Sequence, residues 1–499
     1  MNSYMGVDIG TSGCKAMVFD ESGRFIVGAY REYPVLSPHA GWAELDSDAV
    51  IQHCFDGMAE AAAAAPQRSL RGIGISSQGE AFTPIDAGGK ALARAMVSSD
   101  ARAAAYVQDW PRQFGADRLY QITGHTAHPM FSLFKLLWLK EHAPDVWNKT
   151  WKFLCFEDLL QYRLGLDPAM GWPLAGRTML FDVRRHEWSP PILEALGLSP
   201  SKLARPLQSG RIAGEVAPAV AARLNLGDQV VVVAGGHDQT CGALGAGVTE
   251  PGRAMYATGT VECITPAFSQ PVFTADLQKN NLCTYDHTVE GMYATVAFSL
   301  TGGNILTWFR DEFGAGEVAQ AAARGVSPYE VLLQQCDTQP SSLLVLPYFT
   351  PSGTPYFDPR AQGAILGLKL TTNRHEILRA LLEGVAMEMR LNLEILESAG
   401  CHVTELRAIG GGAKSAIWNQ LKADVTGKPI VSLAVTEAGC LGTAMLAART
   451  CGGQTLTYLA GTWITTGATF SPRPEYAEVY SRRFQAYREM YPALRSLKW

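Results

Sequence analysis

The stretch Met5-Gly6-Val7-Asp8-Ile9-Gly10-Thr11-Ser12-Gly13-Cys14-Lys15 decides the reading of this chain. Met5 to Asp8 is a short apolar run, Gly10 and Gly13 punctuate it, and Lys15 to Asp20 resumes it before the turn Glu21-Ser22-Gly23. Two such runs around a Gly-containing turn predict a β-hairpin, so the chain opens with a sheet. Asp8 puts a carboxylate at a strand end; glycines that let the backbone approach a ligand follow, then the hydroxyls of Thr11 and Ser12. Backbone N–H groups in a tight Gly turn form a concavity for anions, which suits phosphate, and Asp8 is placed to hold Mg²⁺ directly or through water. An ordinary hairpin turn is the structural alternative, and for this segment taken alone it is the preferred one. No G-x-x-x-x-G-K-[ST] is present, and no G-x-G-x-x-G follows the first strand, so P-loop and Rossmann assignments lose their main support.

Working outward, Asp46 to Ala65 reads as a helix capped at Asp46 or Ser47, and Ile73 to Ser76 as a buried strand. Residues 101 to 114 and 131 to 142 read as helical, whereas 165 to 215, rich in Pro and Gly, give no clear pattern. Val230 to Ala234 is a β-branched run leading into Gly235-Gly236-His237-Asp238-Gln239, so a buried strand delivers a polar segment at its C-terminal end. A carboxylate there, among glycines that leave room for a substrate, suits a general base, with Asp238 preferred over His237. A turn or helix cap is the structural alternative for Asp238.

After the connection Gly245 to Gly252 the pattern restarts with Arg253 to Tyr256 and Ala257-Thr258-Gly259-Thr260, which sets a boundary between domains 1–248 and 249–499. Gly259-Thr260 echoes Gly10-Thr11 at the start of the second half, though so short a match also arises by chance. Asn373 to Ala399 carries a helical apolar stripe ending at Gly400. Gly410-Gly411-Gly412-Ala413 follows an apolar run and precedes a helix starting near Ser415. Three glycines are costly in chain entropy; a backbone surface lying against an adenine nucleoside explains them, and so does close packing of helix on strand.

A chain of 499 residues exceeds one hydrophobic core, so about two domains are expected. Apolar residues make up 47% and no uncharged apolar run reaches membrane-span length, which argues against a membrane protein. The N-terminus lacks a secretory pattern, and the ten cysteines show no C-x-x-C spacing, so a reducing, cytoplasmic setting is expected. A formal charge of −5 without a Lys/Arg cluster makes nucleic acid an unexpected partner.

Taken together, Asp8-Ile-Gly-Thr-Ser-Gly-Cys-Lys15, Gly235-Gly-His-Asp238-Gln239, Ala257-Thr-Gly-Thr260, Thr301-Gly-Gly303-Asn-Ile-Leu-Thr-Trp308, Leu346 to Pro355, Asp358 to Gly367 and Gly410 to Trp418 resemble FGGY carbohydrate kinases in order and spacing, up to about residue 450. The resemblance implies an α/β fold of two actin-like, ribonuclease-H-like ATPase domains with a cleft between them. It implies ATP held by Gly10, Thr11, Ser12 and Lys15 on one side and by Gly259, Thr260, Gly303, Gly411, Gly412 and Ala413 on the other. Asp238 matches the catalytic base and Asp8 the carboxylate near Mg²⁺; whether Lys15 contacts phosphate stays open.

The acceptor residues implied are Gln78, Glu80, Asp100, Asp238 and Gln239. In Gln78-Gly79-Glu80-Ala81 the acidic residue is of the glycerol kinase type, while Ser98-Ser99-Asp100-Ala101-Arg102 keeps the Asp and Arg of xylulokinases and gluconokinases. Glu80 is expected to bind substrate hydroxyls, the alternative being a pairing with an arginine such as Arg102. Length and C-terminal motifs resemble xylulokinases more, so a ketopentose such as D-xylulose is expected, with glycerol, erythritol or another polyol as the alternative. A homodimer is carried as an expectation. An actin-like ATPase module without sugar kinase activity is the rival of another class, because fold does not settle function.

Overall fold

The computed structural model describes residues 2–66, 69–336, 338–435 and 437–497. The opening hairpin forms as read: β1 (Ser3–Ile9) and β2 (Gly13–Asp20) pair with Asp8 opposite Lys15, and β3 (Phe25–Glu32) continues the meander. Helix α1 (Ser47–Ala64) follows, its cap supplied by Asp46, whose side chain accepts from the Ala49 N–H. Two further strands, β4 (Leu70–Ser77) and β5 (Val231–His237), lie parallel to β1, so the sheet order is β5-β4-β1-β2-β3 with Ile212–Glu215 outside β5. The C-terminal ends of β1, β4 and β5 therefore share one edge, where ligands gather in such sheets.

Past α2 (Asp238–Gly245), the second half repeats the plan. β6 (Gly252–Thr258) and β7 (Glu262–Phe268) form a hairpin, and β8 (Ala297–Ser299) pairs antiparallel with β7. After α3 (Gly303–Phe313) and the long α4 (Arg374–Ser398), β9 (Val403–Ile409) lies parallel to β6; after α5 (Ala416–Thr426), β10 (Ile430–Leu433) lies parallel to β9. Gly10-Thr11 and Gly259-Thr260 occupy the same place, the turn between the first two strands of each sheet. α4 is capped at its start by Asn373 and at its end by Ala399, one position before the expected cap, Gly400, which follows with φ +87°.

Two readings need correction. The helix expected over 101–114 spans only Tyr106–Phe114, because Arg102 is held in an irregular turn by Asp100 and Glu44. Nor do residues 249–499 stay together: α6 (Ala438–Gly452) and Leu456–Trp463 pack on the first sheet, sharing a core with Tyr4, Phe19 and Val233. α6 crosses α2 at glycines: a Cβ on Gly245 would lie 1.9 Å from the Ala438 carbonyl oxygen, and one on Gly442 2.0 Å from that of Cys241. The two halves are thus joined by helices whose backbones touch. Nine of the ten cysteines are buried, and no helix of the described residues is long and apolar enough to cross a membrane.

Candidate active site

At the end of β1 the turn Gly10–Ser12 is tied down from β4. Gln78, 3% exposed, accepts from the Thr11 hydroxyl at 3.0 Å and donates to the Gly10 carbonyl at 3.1 Å. A residue read as sugar-binding therefore also braces the candidate phosphate turn. Asp8 beside it accepts from Ser76 at 2.6 Å, and burial raises its pKa despite that bond and the attraction of Lys15. Lys15 itself does not point free toward a ligand; its Nζ lies 2.5 Å from a Glu437 carboxylate oxygen at the start of α6.

No group of three His, Cys, Asp or Glu side chains able to hold a metal occurs among the described residues. Mg²⁺ does not require one, since it keeps several waters and takes one or two carboxylates plus substrate phosphates. Asp8 offers hard oxygens, only one of them engaged by Ser76, and so fits that chemistry.

Asp238 opens α2 directly after β5, as a strand-end carboxylate should. Its side chain is 28% exposed, and Oδ1 lies 3.2 Å from His237 Nε2 but is buried without an aligned hydrogen bond. Burial, together with the charges of Asp8 and Glu80, pushes its carboxyl up to about 7. His237 is held neutral by burial and by Arg177, and its Nδ1 lies 3.0 Å from the Tyr285 hydroxyl. Gln239 follows, with Oε1 buried and unbonded among the described residues.

Glu80, expected to bind the acceptor, is tightly constrained. It is 2% exposed with φ +66°, a left-handed conformation rare outside glycine. Its backbone carbonyl accepts from Ser132 at 2.9 Å and from the buried Lys135 at 3.4 Å. Its carboxylate takes a forked Arg177 guanidinium, with Nε at 2.6 Å, and the Ser98 hydroxyl at 2.6 Å. The arginine partner considered from sequence, Arg102, pairs instead with Asp100 and Glu44 and stacks 3.5 Å over the Trp42 ring. Asp100, 1% exposed, accepts four bonds, from the N–H groups of Ala43 and Arg102 and from two guanidinium nitrogens. With both oxygens filled, it shapes the wall rather than offering a free acceptor. Arg177, Lys135 and Tyr285 escaped the sequence reading; Arg177 lies in the 165–215 stretch that showed no pattern, and its partners are far away in the chain.

On the second half, a cavity of about 950 Å³ opens beside Thr258, Gly259, Thr260, Gly303, Gly411 and Gly412, with Lys414 and Trp418 added by the structure. The first N–H groups of α3 stitch the turn in place: Gly303 donates to the Gly259 carbonyl at 2.8 Å and Asn304 to that of Thr260 at 3.2 Å. Beneath, buried Lys422 bonds the Thr258 hydroxyl and pairs with Glu262 at 2.7 Å. Ala413 does not line the cavity; its side chain packs against the cluster that holds Tyr256 and Leu406, and its carbonyl accepts from Asn419 at 2.7 Å. The Gly10–Ser12 turn is not part of this cavity's lining.

Comparison with known proteins identifies the family. The N-terminal domain model of the FGGY family of carbohydrate kinases matches residues 3–245 and the C-terminal domain model residues 254–451. A xylulose kinase of Bacillus subtilis (strain 168) is 28% identical over 100% of this chain and 98% of its own length. A gluconokinase of the same organism is 26% identical over 89% of this chain and 87% of its own. A crystal structure described as a "xyloylose kinase" from Brucella ovis superimposes with a TM-score of 0.89 at 27% identity, covering 100% of both chains. With both domain models spanning most of its length, the chain belongs to the FGGY family of carbohydrate kinases.

Proposed function

We propose that this kinase transfers the γ-phosphoryl group of ATP to a hydroxyl of a neutral sugar or polyol, D-xylulose or another ketopentose first among them. The observation that carries the reading is Asp238: a strand-end carboxylate whose side chain is 28% exposed, with one oxygen buried and unbonded and its pKa moved to about 7. A base poised near the working pH removes a proton from an attacking hydroxyl most effectively. Thr258, Gly259, Thr260 and Gly303 cradle the nucleotide on one side, and the Gln78-braced turn Gly10–Ser12 receives phosphate on the other. Asp8 would hold Mg²⁺, which when bound offsets the charge of the phosphates.

The full-length similarity to a xylulose kinase supports a ketopentose. Electrostatics argue against an acid such as gluconate. The cations around Glu80 are engaged, Arg177 by Glu80 and Lys135 by the carbonyls of Glu80 and Met96. The nearby imidazoles are held neutral by burial, His125 at about 3 and His128 at about 4. A carboxylate substrate would therefore find these cations already engaged, and would meet the charge of Asp238 wherever that group is ionised. The test is ADP release with D-xylulose, gluconate, glycerol or no acceptor. Strong stimulation by D-xylulose and little by gluconate is expected; slow hydrolysis indifferent to every acceptor would refute the reading in favour of an ATPase module.

A further inference from the structure

Where β5 runs beside β4 the pairing slips between Ala234 and Gly236, leaving the Gly235 peptide outside the regular ladder. Such bulges re-aim side chains near active sites. Here the displaced residue is held by side chains on both sides of its Cα: its N–H donates to Glu157 Oε1 at 2.8 Å, and its carbonyl, in the next peptide unit, accepts from the Ser209 hydroxyl at 2.6 Å. The second oxygen of Glu157 accepts from the Gly171 N–H at 3.1 Å. Glu157 is 0% exposed, and burial outweighs both bonds, pushing its carboxyl up to about 8. A carboxyl group is an expensive way to satisfy two backbone donors in a core.

The bulge also admits nothing but glycine at its centre, where a Cβ would lie 1.8 Å from the Ile75 carbonyl oxygen. Three residues further on stands Asp238. Rotation of the Gly235 peptide would swing the start of α2 and move the Asp238 carboxylate away from the acceptor.

We infer that Glu157 is a positioning residue for phosphoryl transfer, fixing the Asp238 carboxylate through the Gly235 peptide. This rests on the proposed role of Asp238 as base. Glutamine at 157 keeps one carbonyl acceptor but turns an NH₂ toward the other backbone N–H, so the bulge must shift. Ser209→Ala releases the carbonyl of the same residue, in the adjoining peptide unit, without touching Glu157.

The experiment compares Glu157→Gln, Ser209→Ala, Asp238→Asn and the Glu157→Gln/Asp238→Asn double variant in the full-length enzyme, reading kcat, both KM values and Tm. Misplacement of a reacting group on this scale costs on the order of 10- to 10²-fold. Glu157→Gln should lower kcat by that much with KM for ATP within about twofold, Ser209→Ala should follow in the same direction, and in the Asp238→Asn background the Glu157 effect should vanish. A wild-type kcat per folded molecule in Glu157→Gln, or a full additional loss in the double variant, overturns the inference. If Glu157→Gln does not fold, Ser209→Ala decides alone, and an unchanged kcat there overturns it. Near wild-type kcat in Asp238→Asn defeats the base assignment and this inference together; a crippled Asp238→Asn beside an unaffected Glu157→Gln defeats this inference only.

Discussion

Valine placed in turn at Gly411 and Gly412 separates two roles that adjacent glycines play. A Cβ at Gly411, on the lining of the cavity proposed for the nucleotide, meets nothing within 4 Å, whereas one at Gly412 would lie 2.3 Å from Thr258 Cγ2 and 3.0 Å from the Trp418 ring. Neither glycine has the left-handed φ that Gly410 shows at +86°, so valine is not excluded by the backbone at either position. At 411 the branched side chain overfills only the ligand's space. Overpacking costs about 1–3 kcal/mol, and borne by the nucleotide alone this becomes roughly a 5- to 150-fold rise in KM for ATP. KM for the acceptor and Tm should stay near wild type. At 412 the same cost falls on the fold, because Thr258 cannot retreat without disturbing Lys422 and its partner Glu262. A loss of about 1–3 kcal/mol lowers Tm by several degrees in a domain of this size. The assay is initial-rate kinetics over ATP concentration at saturating acceptor, beside thermal denaturation. An unchanged KM for ATP in Gly411→Val, or a Gly412→Val protein that loses nucleotide affinity while keeping its Tm, refutes the division.

Asp238→Asn should lower kcat by roughly 10²-fold or more, with nucleotide affinity nearly unchanged; a variant keeping most of its kcat ends the assignment. Because the base must be ionised, wild-type kcat/KM should climb with pH and level off above about 7. The folded carboxyl is raised from 3.8, so the folded state holds a proton that the unfolded chain has released. Its ionisation therefore removes stability as pH rises from 3.8 through about 7, and Asp238→Asn should flatten that slope in urea titrations. Arg177→Met strands the Glu80 carboxylate, 2% exposed, without its cation, at a cost of about 3–5 kcal/mol. An unchanged urea midpoint would show that the pair does not hold the wall, and Arg177→Lys should restore the charge but not the fork.

Much of the framework was legible from local pattern. The opening hairpin, the Asp46 cap, the strand running into Gly235-Gly236-His237-Asp238 and the Asn373-capped helix all follow from side-chain period and end chemistry within a few residues. Residues 165–215 resisted because their elements are too short to carry a period: Ala169–Gly171, Trp172–Gly176 and Phe181–Asp182 are set by what they pack on. Arg177 sits among them, which is why the cation of the acceptor wall went unseen. The glycine triplet had two competing explanations, and its members differ: Gly411 is open to the cavity, where the ligand reading is a proposal, while Gly410 and Gly412 are packed against Thr258.

What the sequence determined alone is where the backbone turns and which groups it presents there: paired Gly-Thr turns, a carboxylate at the end of a buried strand, and a glycine run before a helix. Tertiary structure alone decided the pairing. Lys15 meets Glu437 across 422 positions, Arg177 meets Glu80 across 97, and α6 leaves its own half to lie on the first sheet. Periodicity and capping act over a few residues, so they are written locally in the chain. The partner of a buried charge depends on which distant segments the fold brings within a few ångströms, and no local pattern encodes that.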